Sequence, residues 1–317
     1  MASDCYFREG RFQKKDGDVE FDFVTIDGIG LCPFDVVRSP GGYPKRLNDI
    51  INLDCRPDDV MLATYPKCGT HWTSEILNMI LQRKADYMKD AKVSAMLEAL
   101  PNLDMLERVQ SPRVLNTHLP YKWFPKALIR DGGKIIHTTR NPKDAYVSLF
   151  HHCKNIFELG IKSKHMTWTQ FFDTCVLGKN VVYGNWFDYA KEIELAKKTN
   201  PNIYTVHYES MKEDPEREIK GIAAFLGVQL SDSVIKEIAL KCEFQNLKKA
   251  DKEIKKFPPE MVKGFEEFKK LHPEFKVEMY RKGVVGDWKN HFTIAQNEQF
   301  DALYEKEMKD TDIKVIF

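Results

Sequence analysis

The chain has 317 residues, of which 43% are hydrophobic, and its 48 basic and 47 acidic side chains leave a formal net charge of +1. The apolar content is sufficient for a sizeable core, whereas the balanced charge argues against a nucleic acid partner, which would need an excess of basic residues. No apolar run is long enough to span a membrane, so we also expect no membrane association.

The N-terminal stretch is charged and lacks the apolar segment of a signal peptide. The cysteines are scattered without a C-x-x-C pair, so neither a disulfide framework nor a metal site is expected. These features predict a cytoplasmic protein that binds no metal. Residues 1–53 have mixed periodicity and a Pro/Gly-rich bend at residues 39–42, which predicts an irregular lead-in packed on a single domain that spans residues 54–317.

The next stretch has the pattern of a strand, a tight loop and a helix. Residues 60–64 are apolar and strand-like, residues 65–70 are a polar loop, and apolar side chains then recur at helical spacing. Such a loop holds anions well, because the first turn of a helix has free backbone N–H groups and the positive end of the dipole. Lys67 adds a charge, Gly69 permits close backbone approach, and Thr70 offers a hydroxyl. Since the lysine precedes a single glycine, the loop is not a Walker A motif, and an ordinary turn with a surface lysine is the alternative.

Three more strands and a series of helices follow. The strands are predicted at residues 113–117, 134–139 and 203–207. Helices are predicted at residues 125–131, 142–153, 168–177, 185–198, 215–226, 231–242, 258–271 and 297–308. Residues 86–112 are helical in composition, with an interruption at Pro101.

The alternation of strands and helices predicts an α/β domain with a parallel sheet covered on both faces. In such sheets ligands bind at the carboxyl ends of the strands. The Lys67 loop, His118, Arg140 and Tyr208 each follow one predicted strand. We therefore expect these four groups to meet at one edge of the sheet, although a lone histidine after a strand is more often structural than catalytic.

Two motifs identify a family resemblance. YPKCGTHW at residues 65–72 resembles the YPKSGTTW loop of the cytosolic sulfotransferases, and RKGVVGDWK at residues 281–289 resembles that family's RKGxxGDWK segment. The resemblance extends over residues 56–308. It implies a parallel sheet of about five strands with a P-loop-like loop for the 5′-phosphosulfate of 3′-phosphoadenosine 5′-phosphosulfate (PAPS). The implied reaction moves the sulfuryl group to a hydroxyl or amine of a small, aromatic or hydrophobic acceptor and leaves 3′-phosphoadenosine 5′-phosphate (PAP).

The resemblance also implies catalytic roles. His118 lies in Thr-His-Leu-Pro, which resembles the family's THLP segment with its catalytic histidine, and a neutral imidazole is a suitable general base near pH 7. Lys67 is expected to stabilise the leaving phosphate, with Ser148 restraining it until the acceptor binds. Because a sulfuryl group carries less charge than a phosphoryl group, no metal is expected.

For the nucleotide, Arg140 and Ser148 resemble the pair that holds the 3′-phosphate, and a guanidinium can bind it with two hydrogen bonds. The base is expected between Trp72 and Phe244, with a hydrogen bond from Tyr208. The implied cofactor-binding residues are Lys67, Cys68, Gly69, Thr70, His71, Trp72, Arg140, Ser148, Tyr208, Cys242, Phe244, Arg281, Lys282 and Gly283. The implied acceptor-side residues are Asn116, Thr117 and His118.

Four positions depart from the family pattern. Cys68 replaces a serine, His71 a threonine, Asn116 the lysine that commonly precedes Thr-His, and Cys242 a threonine. Because Cys68 precedes a helix next to Lys67, we hypothesise a reactive thiolate there, with an inert serine replacement as the alternative. A protonated His71 would make cofactor affinity depend on pH, and the neutral Asn116 would lower the rate.

Other features concern assembly and the acceptor. Residues 289–298 resemble the family's KxxxTVxxxE dimerisation segment, which predicts a homodimer with a small interface. His151 and His152, together with Phe157, Trp168, Phe257 and Phe265, suggest a pocket for a flat hydrophobic acceptor. The alternatives are a nucleotide-dependent phosphotransferase and a PAPS- or nucleotide-binding protein with little or no catalysis.

Overall fold

A computed structural model describes residues 7–17, 19–32, 41–155, 161–162, 166–256, 262, 270 and 279–317. The predicted helix at residues 258–271 lies outside these ranges apart from two single residues. Phe157, Phe257 and Phe265, which were expected to line the acceptor pocket, also lie outside the described residues.

The N-terminal region contains regular structure. Its elements are β1 (Glu9–Asp16), β2 (Val19–Ile26), β3 (Ile29–Leu31) and α1 (Gly42–Ile51). β1 and β2 form an antiparallel hairpin, and β3 pairs with the other edge of β2. The expected irregular lead-in is therefore wrong for these residues. Val19, Phe21 and Phe23 are buried in a core that continues into the rest of the protein, and this burial stabilises the strands.

A parallel sheet forms the centre of the structure. Its strands are β4 (Val60–Thr64), β5 (Val114–Thr117), β6 (Lys134–Thr139) and β8 (Ile203–His207), and the short β7 (Ile161–Lys162) pairs with β2 instead. The spatial order is β5-β4-β6-β8. Within the described ranges the sheet thus has four strands where about five were expected, because the remaining described strands pair in the separate antiparallel sheet.

Side chains on the parallel strands alternate between two apolar cores. On β4, Met61 and Ala63 lie in the core shared with the N-terminal sheet, whereas Val60 and Leu62 lie in a second core on the opposite face. This period of two is the geometry of a pleated strand. Both faces of the sheet are therefore covered, as the alternation of elements predicts.

Helices cover the two faces. They are α2 (Thr70–Gln82), α3 (Lys126–Arg130), α4 (Pro142–Asn155), α5 (Trp168–Phe171), α6 (Trp186–Lys197), α7 (Tyr208–Glu213), α8 (Pro215–Leu226), α9 (Asp232–Lys241), α10 (Phe244–Glu253) and α11 (Ile294–Met308). A π-helical turn at Phe172–Leu177 continues α5. None of the helices in the described ranges has both the length and the apolar character needed to cross a membrane.

Helix starts agree with the capping residues in the sequence. Asn141 Oδ1 accepts the N–H of Lys143 at 2.9 Å, and Asp214 Oδ1 accepts that of Arg217 at 3.0 Å. α11 begins before the predicted residue 297, because Thr293 and Gln296 form a capping box.

The expected helical character of residues 86–112 is wrong. Short 3₁₀ turns at Lys92–Ala95 and Leu103–Arg108 occur there instead. The backbone makes long-range bonds, with the Leu97 N–H donating to Asn116 O at 3.0 Å and the Ala91 N–H to Lys256 O at 2.8 Å. These hydrogen bonds to Asn116 on β5 and to Lys256, which follows α10, take the place of the hydrogen bonds of a helix.

Candidate active site

The order of the strands places the candidate residues side by side. Thr117 on β5 pairs with Ala63 on β4, and Thr64 pairs with Thr138 on β6, so the carboxyl ends of these strands lie at one edge. The next strand along the chain, β5, pairs with one edge of β4, and the strand after that, β6, pairs with the other edge. Such a switch point is where parallel α/β sheets bind ligands. The Lys67 loop therefore lies between His118, which follows β5, and Arg140, which follows β6.

The loop after β4 has a strained, closely packed backbone. Lys67 has φ 67° and Gly69 has φ 104°, both in the left-handed region. A Cβ on Gly69 would lie 2.9 Å from Tyr208 Cδ2, so the position has no room for a side chain. The Thr73 N–H donates to Gly69 O at 2.9 Å, which begins the helical bonding of α2. The first amides of the helix, at residues 70–72, have no partner within the helix and can bind an anion.

His118 is held in one orientation. Its Nδ1 lies 2.7 Å from the carbonyl oxygen of Thr64 and 3.2 Å from that residue's hydroxyl, which in turn lies 2.7 Å from Thr70 Oγ1. Because a carbonyl only accepts, Nδ1 carries the proton and Nε2 keeps its lone pair. Burial, followed by the charge of Lys92, lowers the pKa of His118 to about 3. The imidazole is therefore neutral at pH 7 and can accept a proton.

A buried carboxylate supports the backbone around this histidine. Glu98 Oε1 accepts the His118 N–H at 2.7 Å, and Oε2 accepts the Thr117 hydroxyl at 2.8 Å. Glu98 is 1% exposed. Thr117, expected on the acceptor side, is thus turned into the structure as a support, and Asn116 donates from Nδ2 to Lys92 O at 3.1 Å.

Arg140 connects three parts of the site. Its guanidinium donates to Lys67 O at 3.2 Å and to Val284 O at 3.0 Å, and it lies 4.2 Å from the centre of the Tyr208 ring. Its Nε is buried without a hydrogen-bond partner among the described residues. A buried guanidinium with an unused donor is typical of an anion site.

The C-terminal motif is anchored to α4, the helix that follows Arg140. Asp144 accepts the N–H of Gly286 at 2.7 Å and the N–H of Trp288 at 2.9 Å. Arg281 and Lys282 each lie 2.7 Å from Asp287. Burial opposes ionisation of Asp287, but hydrogen bonds from these two cations bring its pKa below the ordinary value.

The aromatic residues expected at the base lie around the same loop. Trp72 packs edge-on against Tyr208, with ring centres 5.2 Å apart, and its Nε1 is buried without a partner among the described residues. Phe244 packs edge-on against Tyr280 at 6.2 Å. Gly283 has φ 67°, and a Cβ there would lie 2.1 Å from Phe244 Cδ2. The expected cofactor residues of α2, α10 and the C-terminal motif are therefore brought together.

The site concentrates positive charge. Burial, and then the charges of Lys92, Arg140 and Arg281, lower the pKa of Lys67 to about 8. A bound anion would relieve this repulsion, which is the electrostatic pattern of a polyanion site. Burial, followed by the charges of Lys92 and Lys67, lowers the pKa of His71, so this histidine is neutral at pH 7. Its expected pH-sensitive contact with phosphate stays a prediction.

The two unusual cysteines do not point into the site. Cys68 is fully buried in the main core, and its N–H donates to Tyr65 O at 3.2 Å. Burial raises the pKa of its thiol despite the nearby Arg140 charge, so the hypothesised thiolate is wrong. Cys242 is also buried, with its sulfur 3.9 Å from Met79 Sδ, and belongs to the second core rather than to a free nucleotide surface.

Three expected roles are only partly matched by contacts. Ser148 is half-buried on α4, and its hydroxyl makes no hydrogen bond to a described residue, so its restraint of Lys67 stays a prediction. Trp168 packs among Phe150, Phe171 and other core rings and does not stand free as a pocket wall. His152 is close enough to Lys67 and His118 for their charges to lower its pKa further after burial.

Sequence reasoning missed the supporting residues. Thr64, Glu98, Asp144 and Asp287 carry the hydrogen bonds that fix the functional groups. Asp287 lies inside the RKGVVGDWK motif, Asp144 is the fourth residue after Arg140, and Glu98 is an acid within the apolar stretch MLEAL. An acid surrounded by apolar residues is a signal that could have found Glu98, because such a group is buried only when it is bonded. In the described residues, no group of three or more His, Cys, Asp or Glu is arranged to bind a metal ion.

Comparisons with known proteins agree with this geometry. A family model described as the sulfotransferase domain matches residues 57–312. Sulfotransferase 1B1 of Canis lupus familiaris is 35% identical over 294 residues, which cover 86% of this chain and 93% of that protein. Sulfotransferase 1A1 of Mus musculus is 35% identical over 300 residues, which cover 91% of this chain and 95% of that protein.

Solved structures give the same result. Mouse sulfotransferase SULT7A1 complexed with PAP is 31% identical, with a TM-score of 0.66 and coverage of 84% of this chain and 90% of that one. Retinol dehydratase in complex with androsterone and inactive cofactor PAP is 20% identical, with a TM-score of 0.69 and coverage of 93% of this chain and 91% of that one. At this identity the likeness concerns the fold alone. From its motifs, its parallel sheet and these matches, the chain belongs to the cytosolic sulfotransferase family.

Proposed function

We propose that this protein transfers the sulfuryl group of PAPS to a hydroxyl or amine of a small acceptor. The observation that carries this proposal is the pairing of a neutral, oriented His118 with a cationic anion loop on the neighbouring strand. Nδ1 of the histidine is bonded to Thr64 O at 2.7 Å, so Nε2 is the atom that takes the acceptor's proton.

Lys67 would stabilise the leaving group. PAPS supplies an activated sulfuryl group whose departure leaves negative charge on a phosphate oxygen. Lys67 lies at the start of the anion loop, and its pKa of about 8 leaves it mostly charged at neutral pH. Positioning and electrostatic stabilisation supply most of the catalysis in transfers of this kind. Ser148 would restrain the lysine before the acceptor arrives.

The donor half of the proposal rests on unused donors. Arg140 Nε, Arg281 Nε and Trp72 Nε1 are buried without partners in the described part of the chain, so the residues fit a polyanionic nucleotide. Arg140, Arg281 and Lys282 would hold the 3′-phosphate. The related mouse SULT7A1 structure is a complex with PAP, which supports the same donor here.

The acceptor side favours an aromatic or hydrophobic molecule. Tyr183 packs edge-on against His118, with ring centres 5.3 Å apart, and His152 is kept neutral by burial. A phenol, a catecholamine, a steroid or another alcohol would suit such surroundings. Dimerisation through Lys289–Glu298 and a cytoplasmic location complete the proposal.

The test is transfer of labelled sulfate from PAPS to a panel of phenols, catecholamines, steroids and aliphatic alcohols. Label in an acceptor, with PAP released in equal amount, would support the proposal. PAP binding with no transfer to any acceptor would favour a nucleotide-binding protein, and Mg²⁺-dependent use of ATP would favour a phosphotransferase.

A further inference from the structure

The β5 side of the site lacks the positive charge that the family pattern provides there. Asn116, immediately before Thr117 and His118, is neutral and 1% exposed. Its Nδ2 donates to Lys92 O at 3.1 Å, and its Oδ1 is buried without a partner among the described residues. The side chain at this position therefore binds the neighbouring segment and supplies no charge.

That neighbouring segment runs along β5, which is an edge strand of the parallel sheet. Met96 forms a parallel bridge with Asn116, and the Leu97 N–H donates to Asn116 O at 3.0 Å. Glu98 then bonds both Thr117 and His118. Lys92 begins this segment, so its position is fixed relative to the histidine by four hydrogen bonds.

Lys92 is half-buried, and its ammonium has no counter-ion within the described part of the chain. Its hydrogen-bond contact among the described residues is Met96 Sδ at 3.8 Å, and no described carboxylate lies within 4.0 Å of it. Glu98 attracts it only at longer range, because both oxygens of that carboxylate accept other donors. A partly buried cation is costly unless an anion compensates it, so the arrangement calls for an anionic ligand.

The charge of Lys92 affects the pKa values of several groups in the site. After burial, it is the largest cause that lowers the pKa of His118, and it also lowers the pKa of Lys67, His71 and His152. The titratable groups that face His118 are Lys67, His71, Lys92 and His152, with Glu98 and Tyr183 in direct contact. Together with the hydrogen bond from Asn116 to the Lys92 carbonyl oxygen, these effects agree with a position of Lys92 on the β5 side of the site.

We propose that Lys92, fixed beside Asn116, supplies the positive charge that stabilises the transferring sulfuryl group and that Asn116 no longer provides. The family's charge is thus moved from β5 to the 3₁₀ turn at Lys92–Ala95. This inference rests on the proposed function. Lys92 has a second effect, because its charge disfavours protonation of His118 before the acceptor binds.

The first test compares two ligands that differ by the sulfuryl group. In Lys92→Met, the dissociation constant of PAPS, measured by calorimetry without acceptor, should rise about tenfold, because a charged contact is lost. The dissociation constant of PAP should change by less than about threefold. Lys89→Met, at an exposed lysine that precedes the segment, is the matched control and should change neither dissociation constant. Equal weakening of PAPS and PAP, or of neither, would overturn the proposal.

The second test needs no ligand. The NMR titration of His118 in Lys92→Met should show a higher pKa than in the wild type, with no shift in Lys89→Met. Thermal unfolding checks folding, and the bond from Asn116 to the Lys92 carbonyl does not depend on the side chain. An unchanged His118 pKa in a folded variant would overturn the placement of the charge.

The third test is restoration of the charge on β5. Asn116→Lys in the Lys92→Met background should recover most of the preference for PAPS over PAP and, with an active acceptor, most of the lost kcat. Failure to recover either in a folded double variant would contradict the exchange of roles. If the wild type transfers sulfate to no acceptor, the proposed function fails, while the ligand comparison and the NMR titration still decide the role of Lys92.

Discussion

His118 Nδ1 lies 2.7 Å from the main-chain carbonyl oxygen of Thr64, so the candidate base is fixed directly to the strand that leads into the anion loop. The order β5-β4-β6-β8 makes this contact possible, because β4 lies between the strand that ends at the histidine and the strand that ends at Arg140. His118, Lys67 and Arg140, to which these roles are proposed, are thereby arranged along one edge.

Gly69 is expected to be essential for nucleotide binding because of its contact with Tyr208. Gly69→Ala would put a Cβ 2.9 Å from Tyr208 Cδ2, with the backbone at φ 104°. Gly227→Ala is the matched control, since Gly227 also has positive φ, 71°, but nothing lies within 4 Å of its Cβ position. Both variants should lose about 1 kcal/mol of unfolding free energy from the left-handed backbone. Only Gly69→Ala should weaken PAP binding, by about tenfold or more, and equal affinities in calorimetry would contradict this.

Cys68 is expected to be chemically inert in the folded protein. Its sulfur is buried in the main core, and burial raises the pKa of the thiol, so little thiolate forms. Treatment with iodoacetamide at about pH 8, followed by peptide mass spectrometry, should leave Cys68 unmodified in the native protein. The unfolded protein should be modified completely at this position, which serves as the control. Rapid modification of native Cys68 that PAP prevents would show an accessible thiolate.

Acid should destabilise the protein through its buried histidines. Burial lowers the pKa of His137 to about 3, whereas the unfolded chain has a value near 6.5. Between these values the unfolded state binds more protons, so stability rises with pH through this window and falls on acidification. From about pH 7 to about pH 5.5, His137 should account for a loss of about 1 kcal/mol.

Urea unfolding of the wild type and of His137→Gln at these two pH values measures the contribution of His137 to the unfolding free energy. The variant should lose about 1 kcal/mol less than the wild type over the interval, whatever its stability at neutral pH. An identical pH dependence in the two proteins would mean that folding does not lower the pKa of His137.

Ile294 is expected to contribute to self-association. It is 82% exposed in the segment Lys289–Glu298, and an apolar side chain this exposed is a suitable interface contact. Ile294→Asp should shift the protein from dimer to monomer in sedimentation velocity, and an acid at the first turn of α11 is compatible with the helix dipole. Leu195→Asp, at a position 66% exposed on α6, is the control and should remain dimeric. A dimer that survives Ile294→Asp would place the interface elsewhere.

The four parallel strands could be predicted because each is a short apolar run with a turn on either side. Residues 60–64, 134–139 and 203–207 match β4, β6 and β8, and β5 begins one residue later than predicted. The convergence of Lys67, His118, Arg140 and Tyr208 followed from the same pattern, since the carboxyl ends of parallel strands share an edge.

Tertiary contacts account for the predictions that were wrong. Residues 86–112 have helical composition, but hydrogen bonds to Asn116 and Lys256 determine their backbone. The position of Cys68 before a helix suggested a thiolate, whereas its direction into the core decides its pKa. Glu98 and Lys92 gain their roles only when the segment containing them lies against β5, which local sequence does not specify.

The most direct measurement of the central claim is sulfate transfer by His118→Ala, made alongside calorimetric PAP binding. Loss of the base should lower kcat by about 10²–10⁴-fold, while PAP affinity stays close to that of the wild type, because His118 is not among the expected cofactor-binding residues. Transfer at a rate close to that of the wild type, in a variant that binds PAP normally, would show that another group removes the acceptor's proton.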